Sequence, residues 1–135
     1  WKSLRQEPFI LLTAANEKLN NIDKLLSTRA FIRYDRHSHG GSLVDRFIKR
    51  KRYKVKETIE SDSIESIGLL VARGAGVAIV PRNPALKALG LPVREIDLLE
   101  DTFYREIGLV EHIESPHAHL NSDFWRIISK HKPLR

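Results

Sequence analysis

The sequence predicts an α/β fold with a mostly parallel sheet, and three observations support this prediction. Short apolar stretches alternate with amphipathic stretches of about a dozen residues, which is the pattern of strands and helices in such folds. Residues that favour helix caps follow several of the apolar stretches. The chain of 135 residues contains no internal repeat and no low-complexity linker.

The first two strands are predicted in the N-terminal quarter. The run PFILLTAA, residues 8–15, is too apolar and too short for an independent helix, which favours a buried strand. After a loop and a short helix, residues 31–34 form the second strand, and the polar, glycine-bearing loop DRHSHGG ends it. Ser42 is then expected to cap an amphipathic helix.

A third strand and its helix are predicted between residues 54 and 74. KVKETIE is a plausible strand, and Asp62 followed by Glu65 has the spacing of a capping box. Gly74 is expected to end this helix.

The remaining elements complete the alternation. GVAIVP is a short β-branched strand that Pro81 ends, because proline cannot donate to a central ladder. PVREID and REIGLVEH are two further strand candidates. Ser115 and Pro116 then match the cap and first position of a final amphipathic helix.

The G-x-G of Gly74 and Gly76 is not predicted to hold a nucleotide. A dinucleotide fingerprint places its glycines after a strand and before a helix, so that the helix N-terminus faces the pyrophosphate. Here the glycines follow a helix and precede a strand. They are therefore expected to end the helix and turn the chain.

Composition limits the function classes. The chain has no cysteine, which excludes disulfides and thiolate chemistry and is compatible with a reducing compartment. It has no methionine and begins at Trp1, so we expect a piece of a longer protein. Because no apolar run approaches the roughly 18 residues of a spanning helix, we expect a soluble protein without membrane contact. The absence of cysteine is compatible with the cytoplasm, where we expect the protein to act.

The first amphipathic helix is strongly basic at its end. Residues 46–56 contain seven basic side chains: Arg46, Lys49, Arg50, Lys51, Arg52, Lys54 and Lys56. The run is compatible with a nucleic-acid surface. The favoured interpretation is a solvated helix end, because basic residues offset the dipole there and Tyr53 is the only interleaved aromatic residue.

No pattern in the sequence predicts catalysis, a metal or another cofactor. His37 with His39, and His117 with His119, form two H-x-H pairs, yet no H-E-x-x-H pattern or cysteine accompanies them. A G-x-S-x-G elbow and a P-loop lysine are also absent.

The loop YDRHSHGGS is the strongest candidate for ligand binding. It lies between a predicted strand end and a predicted helix N-terminus, where free N–H groups and the helix dipole favour anions. Asp62 and Ser63 occupy a second junction of the same kind. Ordinary turn and capping chemistry is the alternative for both junctions.

Three segments together resemble a known family. FIRYDRHSHGGSLVDRFI, ESDSIESIGLLVARGAGVAIVPR and REIGLVEH resemble, in content and order, the effector-binding domain of LysR-type transcriptional regulators. The most specific part is LVARG followed, after one small residue, by GVAIVP. The resemblance covers nearly the whole chain and implies a fold like that of type 2 periplasmic binding proteins, with two α/β subdomains and a small-molecule cleft between them.

The resemblance also implies a domain division and a binding site. Residues 16–105 would form the complete second subdomain, and residues 1–15 with 106–135 would be a partial first subdomain. Effector contacts would come from the residues Tyr34, Arg36, His37, Ser38, Asp62 and Ser63. Arg36 and His37 favour an anionic effector such as a carboxylate, because guanidinium binds such groups in a bidentate manner.

The implied function is regulation without chemistry. The effector would shift two subdomains of a homodimer or homotetramer, and DNA would be bound only by a winged helix-turn-helix domain absent from this chain. Two alternatives stay open, namely a solute-binding protein of a transport system and an enzyme on the same fold.

Overall fold

The computed structural model describes residues 1–130, which fall into two compact units. The larger unit comprises residues 8–105, and the smaller unit comprises residues 1–7 together with the chain from residue 106 onward. Strand β1, Lys2–Ala14, contributes residues to both units. The assignment of residues 16–105 and of the flanking segments to effector-binding subdomains stays a prediction.

The larger unit alternates strands and helices. After β1 the chain forms helix α1 (Ile22–Thr28), strand β2 (Ala30–Tyr34), helix α2 (His39–Lys51), strand β3 (Lys56–Ser61), helix α3 (Ile64–Ala72) and strand β4 (Ala78–Pro81). Helix α4 (Pro84–Ala88), strand β5 (Val93–Asp97), a 3₁₀ turn (Leu99–Asp101) and strand β6 (Tyr104–Leu109) follow.

Strand β1 runs opposite to strands β2 to β5. Strands β2 and β3 pair in parallel, and Phe31 forms a parallel bridge to Val77 just before β4. Strand β1 pairs antiparallel with both β4 and β5, and it also pairs with β6. Strands β2, β3, β4 and β5 therefore share one direction. The expected parallel pairing is found between β2 and β3, whereas β1 lies between β4 and β5 and pairs with both in the antiparallel sense.

Strand β1 is apolar throughout its centre because both of its faces are covered. Phe9 and Leu11 pack in one core cluster with residues of α2, whereas Ile10 and Leu12 pack in a second cluster with residues of α3. All four side chains are fully buried. Each contributes about 2 kcal/mol of hydrophobic stabilisation by this burial, which explains why PFILLTAA lacks the alternation of a half-exposed strand.

Two helix starts differ from the sequence-based prediction. The N-cap of α2 is Ser38 rather than Ser42, and its side chain accepts a hydrogen bond from the Gly41 N–H. The N-cap of α3 is Ser63 rather than Asp62, and it accepts from the Ser66 N–H. The cap of α2 was predicted too late in the chain because Gly40 and Gly41 precede Ser42, and glycine is unfavourable inside a helix.

Helices α2 and α3 end in the same hydrogen-bonded motif. At the end of α3, Gly74 donates to the Val71 carbonyl and Ala75 donates to the Leu70 carbonyl, with Gly74 at φ +78°. This Schellman arrangement confirms that Gly74 ends the helix. At the end of α2 the left-handed position is held by Arg52, at φ 56°, where a side chain costs about 1 kcal/mol relative to glycine.

The smaller unit contains the final helix α5, Ala118–Lys130. It starts three residues after the predicted cap Ser115, whose carbonyl accepts from the Ala118 N–H. Lys2 pairs with Glu111 at 3.0 Å, and the Asn121 amide donates to the same carboxylate. Several apolar residues of this unit are exposed, including Leu120, Phe124 and Ile127 of α5.

Over residues 1–130, the structure has no helix that is both long enough and apolar enough to span a membrane. The same residues contain no group of three or more histidine, aspartate or glutamate side chains arranged to hold a metal ion.

Glu17 gives a prediction about acid stability. Arg29 donates to its carboxylate at 2.8 Å and the Leu19 N–H donates at 3.0 Å, and these bonds lower the pKa of Glu17 to about 2. Because the folded pKa lies below the ordinary value of 4.5, the stabilisation is complete above that value and is lost as the pH falls toward 2.

We therefore expect NMR titration to place the Glu17 carboxyl midpoint well below that of an unpaired glutamate. An Arg29→Gln variant should move the midpoint upward, and an unchanged midpoint would show that this ion pair does not form in solution.

Candidate functional site

The ends of β2 and β3 lie side by side because the two strands are parallel. Tyr34 is paired with Ser61, and the Asp35 N–H donates to the Ser61 carbonyl at 2.9 Å. The loops that follow the two strands therefore begin at the same edge of the sheet. We name this edge, with residues 34–38 and 61–63, the strand-end site.

The strand-end site contains a tightly bonded turn before α2. The Ser38 hydroxyl donates to the Asp35 carbonyl at 2.7 Å and accepts from the Gly41 N–H at 3.0 Å. The Asp35 carboxylate accepts from the His37 N–H at 2.9 Å. Ser38 thus both closes the turn and caps the helix, which is the interpretation that the sequence analysis gave as the alternative to ligand binding.

Two glycines allow this turn to pack closely. A Cβ added to Gly41 would lie 1.8 Å from the Asp35 carbonyl oxygen, and one added to Gly40 would lie 2.6 Å from the Tyr34 ring. Since real Cβ atoms essentially never lie within 3.0 Å of such atoms, both positions require glycine in this conformation. Both glycines were predicted to lie in a loop, and their close packing could not be read from the sequence alone.

Tyr34 is buried beneath the turn. It is 7% exposed, and its hydroxyl lies 3.5 Å from an Nη of Arg105, at the limit of hydrogen bonding. The ring packs in the core cluster that contains Ile32 and Ile64. Tyr34 is therefore part of the core beneath the turn.

The second junction has a similar cap. The Ser63 hydroxyl accepts from the Ser66 N–H at 3.1 Å and donates to the Glu65 carboxylate at 3.2 Å, while the Ser63 N–H donates to the Ser61 hydroxyl. Asp62 is exposed at the tip of this loop. The structure thus brings Ser38 and Ser63 to neighbouring helix starts.

Arg36 is held by acidic side chains of β3. Its guanidinium pairs with Glu57 at 2.7 Å and with Glu60 at 3.3 Å, and the Arg36 N–H also donates to Glu60. The two carboxylates raise the pKa of Arg36, with Glu57 contributing most. An anionic ligand at Arg36 would therefore compete with both glutamates, which the sequence analysis did not anticipate.

Beneath Arg36 lies a second, buried arginine. Arg33 is 4% exposed, pairs with Asp45 of α2 at 3.3 Å and with Glu57 of β3, and stacks over the Phe31 ring at 5.6 Å. Arg33 and Arg36 thus share Glu57. Hydrogen bonding from Arg33 is the main cause that lowers the pKa of Glu57.

The signal for this network was present in the sequence. Glu57 and Glu60 lie in a predicted strand, where acidic residues are depleted. Which arginine they would meet depended on the pairing of β2 with β3, which the sequence did not specify.

The chain belongs to the LysR substrate-binding domain family, described as "LysR substrate binding domain", whose match covers residues 1–133. The family match confirms the predicted membership and an effector-sensing role, and it does not favour a solute-binding transport protein. No curated protein gives a significant match to the chain.

Solved structures agree on the fold. The effector-binding domain of QuiR in complex with shikimate aligns with a TM-score of 0.75 and 21% identity, covering 96% of this chain and 65% of that one. The CcmR regulatory domain of Synechocystis PCC6803 in complex with 2-PG gives 0.76 and 18%, covering 98% and 68%. HinK, a LysR family regulator from Pseudomonas aeruginosa, gives 0.70 and 16%, covering 96% and 47%.

These comparisons confirm the predicted α/β fold of the type 2 periplasmic-binding-protein kind. The chain spans about two thirds of the length of the QuiR domain that it matches. The matched family is described as a substrate-binding domain, and the QuiR and CcmR structures are an effector-binding domain and a regulatory domain, respectively.

Proposed function

We propose that the strand-end site binds a small anionic effector, and that this chain senses it for a LysR-type regulator. The observation that carries the proposal is the register of Tyr34 with Ser61, which brings the starts of α2 and α3 to one edge. Helix N-termini attract anions through unpaired N–H groups and the helix dipole.

The ion pairs of Arg36 at this edge would allow an anionic ligand to displace one of its two carboxylate partners. Arg36 is half-exposed, and its partners Glu57 and Glu60 are exposed to a similar degree. Exposed ion pairs are weak, typically below about 1 kcal/mol. A carboxylate ligand that bonded Arg36 in a bidentate manner would replace one of them at small cost.

The whole regulator would act in the cytoplasm as a homodimer or homotetramer without catalysing a reaction. A separate winged helix-turn-helix domain would read the operator. Effector binding would change the spacing of two DNA-binding heads, which alters operator affinity without changing base contacts. Shikimate and 2-PG are the ligands of the QuiR and CcmR structures, and the effector of this chain is to be identified by a ligand screen.

A thermal-shift screen with small carboxylates, including benzoate and shikimate, tests the proposal. A ligand present at 100 times its Kd stabilises the folded state by about 2.7 kcal/mol. We expect a concentration-dependent rise in melting temperature for at least one carboxylate.

Two variants locate the site. Arg36→Ala should weaken the effect of the hit, whereas Glu60→Gln should strengthen it, because one competing carboxylate is removed. Arg73→Ala, at an exposed position after α3, serves as the matched control. If all three variants leave the stabilisation by the hit unchanged, the ligand binds elsewhere in the chain. If Glu60→Gln weakens the stabilisation, Glu60 does not compete with the ligand for Arg36.

A further inference from the structure

The basic run at the end of α2 has more positive charge than the helix end requires. All seven basic side chains from Arg46 to Lys56 are exposed. A helix C-terminus carries the equivalent of only about half a negative charge. Offsetting the dipole therefore requires no more than about one of these seven cations.

Two of the seven have carboxylate partners. Lys49 pairs with Asp45 at 2.6 Å, and Lys51 pairs with Asp101 at 2.8 Å. Within residues 1–130, the other five make no ion pair. These five, which we name the basic patch, are Arg46, Arg50, Arg52, Lys54 and Lys56.

The acidic residues nearest to the basic patch in sequence already form ion pairs with other residues. Asp45 is bonded to Arg33 and Lys49, while Glu57 and Glu60 are bonded to arginines of β2 and its following loop. They leave the basic patch uncompensated. An external anion would therefore meet five cations that need not break an internal pair.

Arg52 provides a second observation. It occupies the left-handed position of a helix-ending motif in which α3 uses Gly74. Glycine would fit this backbone without strain. The chain instead places an exposed cation there, next to Lys54.

We propose that the basic patch binds the phosphate backbone of duplex DNA, independently of the effector and without reading sequence. Three of its five residues are arginines, whose planar forks bond phosphate oxygens in pairs. Arg46 and Arg50 share one face of α2, since residues four apart are neighbours on a helix. Duplex DNA presents one charge per about 1.7 Å of its axis, so it can neutralise such a patch without matched side-chain geometry.

An acidic protein partner is the other class of polyanion, and the patch favours DNA over it. A protein surface would need carboxylates placed to match each cation, with apolar contacts around them. The apolar residues between its cations are buried or half-buried, namely Phe47, Ile48, Tyr53 and Val55.

Fluorescence anisotropy with a random-sequence 20-base-pair duplex tests this inference on the 135-residue chain. We expect binding at 50 mM NaCl that weakens by about 150-fold at 200 mM, if about four phosphates are neutralised. The double variant Arg46→Gln/Arg50→Gln should bind about tenfold less tightly at 50 mM and should make the slope of log K against log salt shallower by about two.

Two further sets of variants show whether DNA binding depends on the residues of the basic patch rather than on the net charge or on a loss of folding. Arg73→Gln/Lys87→Gln removes the same charge at exposed positions outside the patch and should leave the slope unchanged. Arg52→Gly should make the slope shallower by about one while keeping or raising the melting temperature.

Three results would overturn the inference. They are no DNA binding at 50 mM NaCl, equal losses in the two double variants, and binding of polyglutamate of the same charge as tightly as DNA.

Discussion

Replacing Gly41 with alanine is expected to destabilise the larger unit by about 3 kcal/mol or to prevent its folding. The added Cβ would lie 1.8 Å from the Asp35 carbonyl oxygen and 2.4 Å from the carbonyl carbon, both of which are backbone atoms. Neither atom can rotate away, so the turn before α2 must open. The Ser38 cap and the strand-end site would be lost with it.

The matched control for this substitution is Gly74→Ala. Gly74 has φ +78°, but an added Cβ would meet no heavy atom within 4 Å. We expect a cost of about 1 kcal/mol there, which arises from backbone strain alone. Urea unfolding at 25 °C compares the two variants. If Gly41→Ala were no more destabilising than Gly74→Ala, the close approach of the turn to α2 would be wrong.

Removing both carboxylates that face Arg33 is expected to cost about 3 kcal/mol or more. In Asp45→Asn/Glu57→Gln, a guanidinium that is 4% exposed would keep its charge without a counter-charge. Its Nε already lacks a hydrogen-bond partner among residues 1–130. Burial of an uncompensated charge is more costly than loss of the pair as a whole.

Arg33→Met provides the contrast. It removes the buried cation and leaves Asp45 with Lys49 at 2.6 Å and Glu57 with Arg36 at 2.7 Å. We expect a change within about 1 kcal/mol, because apolar replacement of a buried charge is often neutral. Urea unfolding of both variants measures the difference, and a more stable carboxylate double variant than Arg33→Met would contradict the account.

The pH dependence of these variants is an additional measure of the same network. Bonds from Lys49 lower the pKa of Asp45, and bonds from Arg33 lower the pKa of Glu57. A carboxyl group whose pKa is lower in the folded state than in the unfolded state stabilises the folded state at pH values above the unfolded pKa. This stabilisation is lost as the pH falls through the folded pKa. The carboxylate double variant should therefore lose less stability than the parent chain between pH 5 and pH 3.

Local chemistry made much of this structure predictable. The segment LVARGAGVAIVP gave both the end of α3 at Gly74 and the start of β4, because a left-handed position and a β-branched run act over a few residues. The same segment carried the family resemblance, which the family match over residues 1–133 confirms. The effector contacts named from that resemblance stay predictions.

The sequence by itself determined the strand-helix alternation, the family and the neighbourhood in which a ligand is proposed to bind. Tertiary structure decided that β1 runs against its neighbours and that Arg36 is paired with Glu57 and Glu60. The physical reason is the separation in sequence between the residues that interact. Caps and turns depend on neighbours within four residues, whereas Arg36 and its glutamates are 21 and 24 residues apart and meet only when β2 pairs with β3.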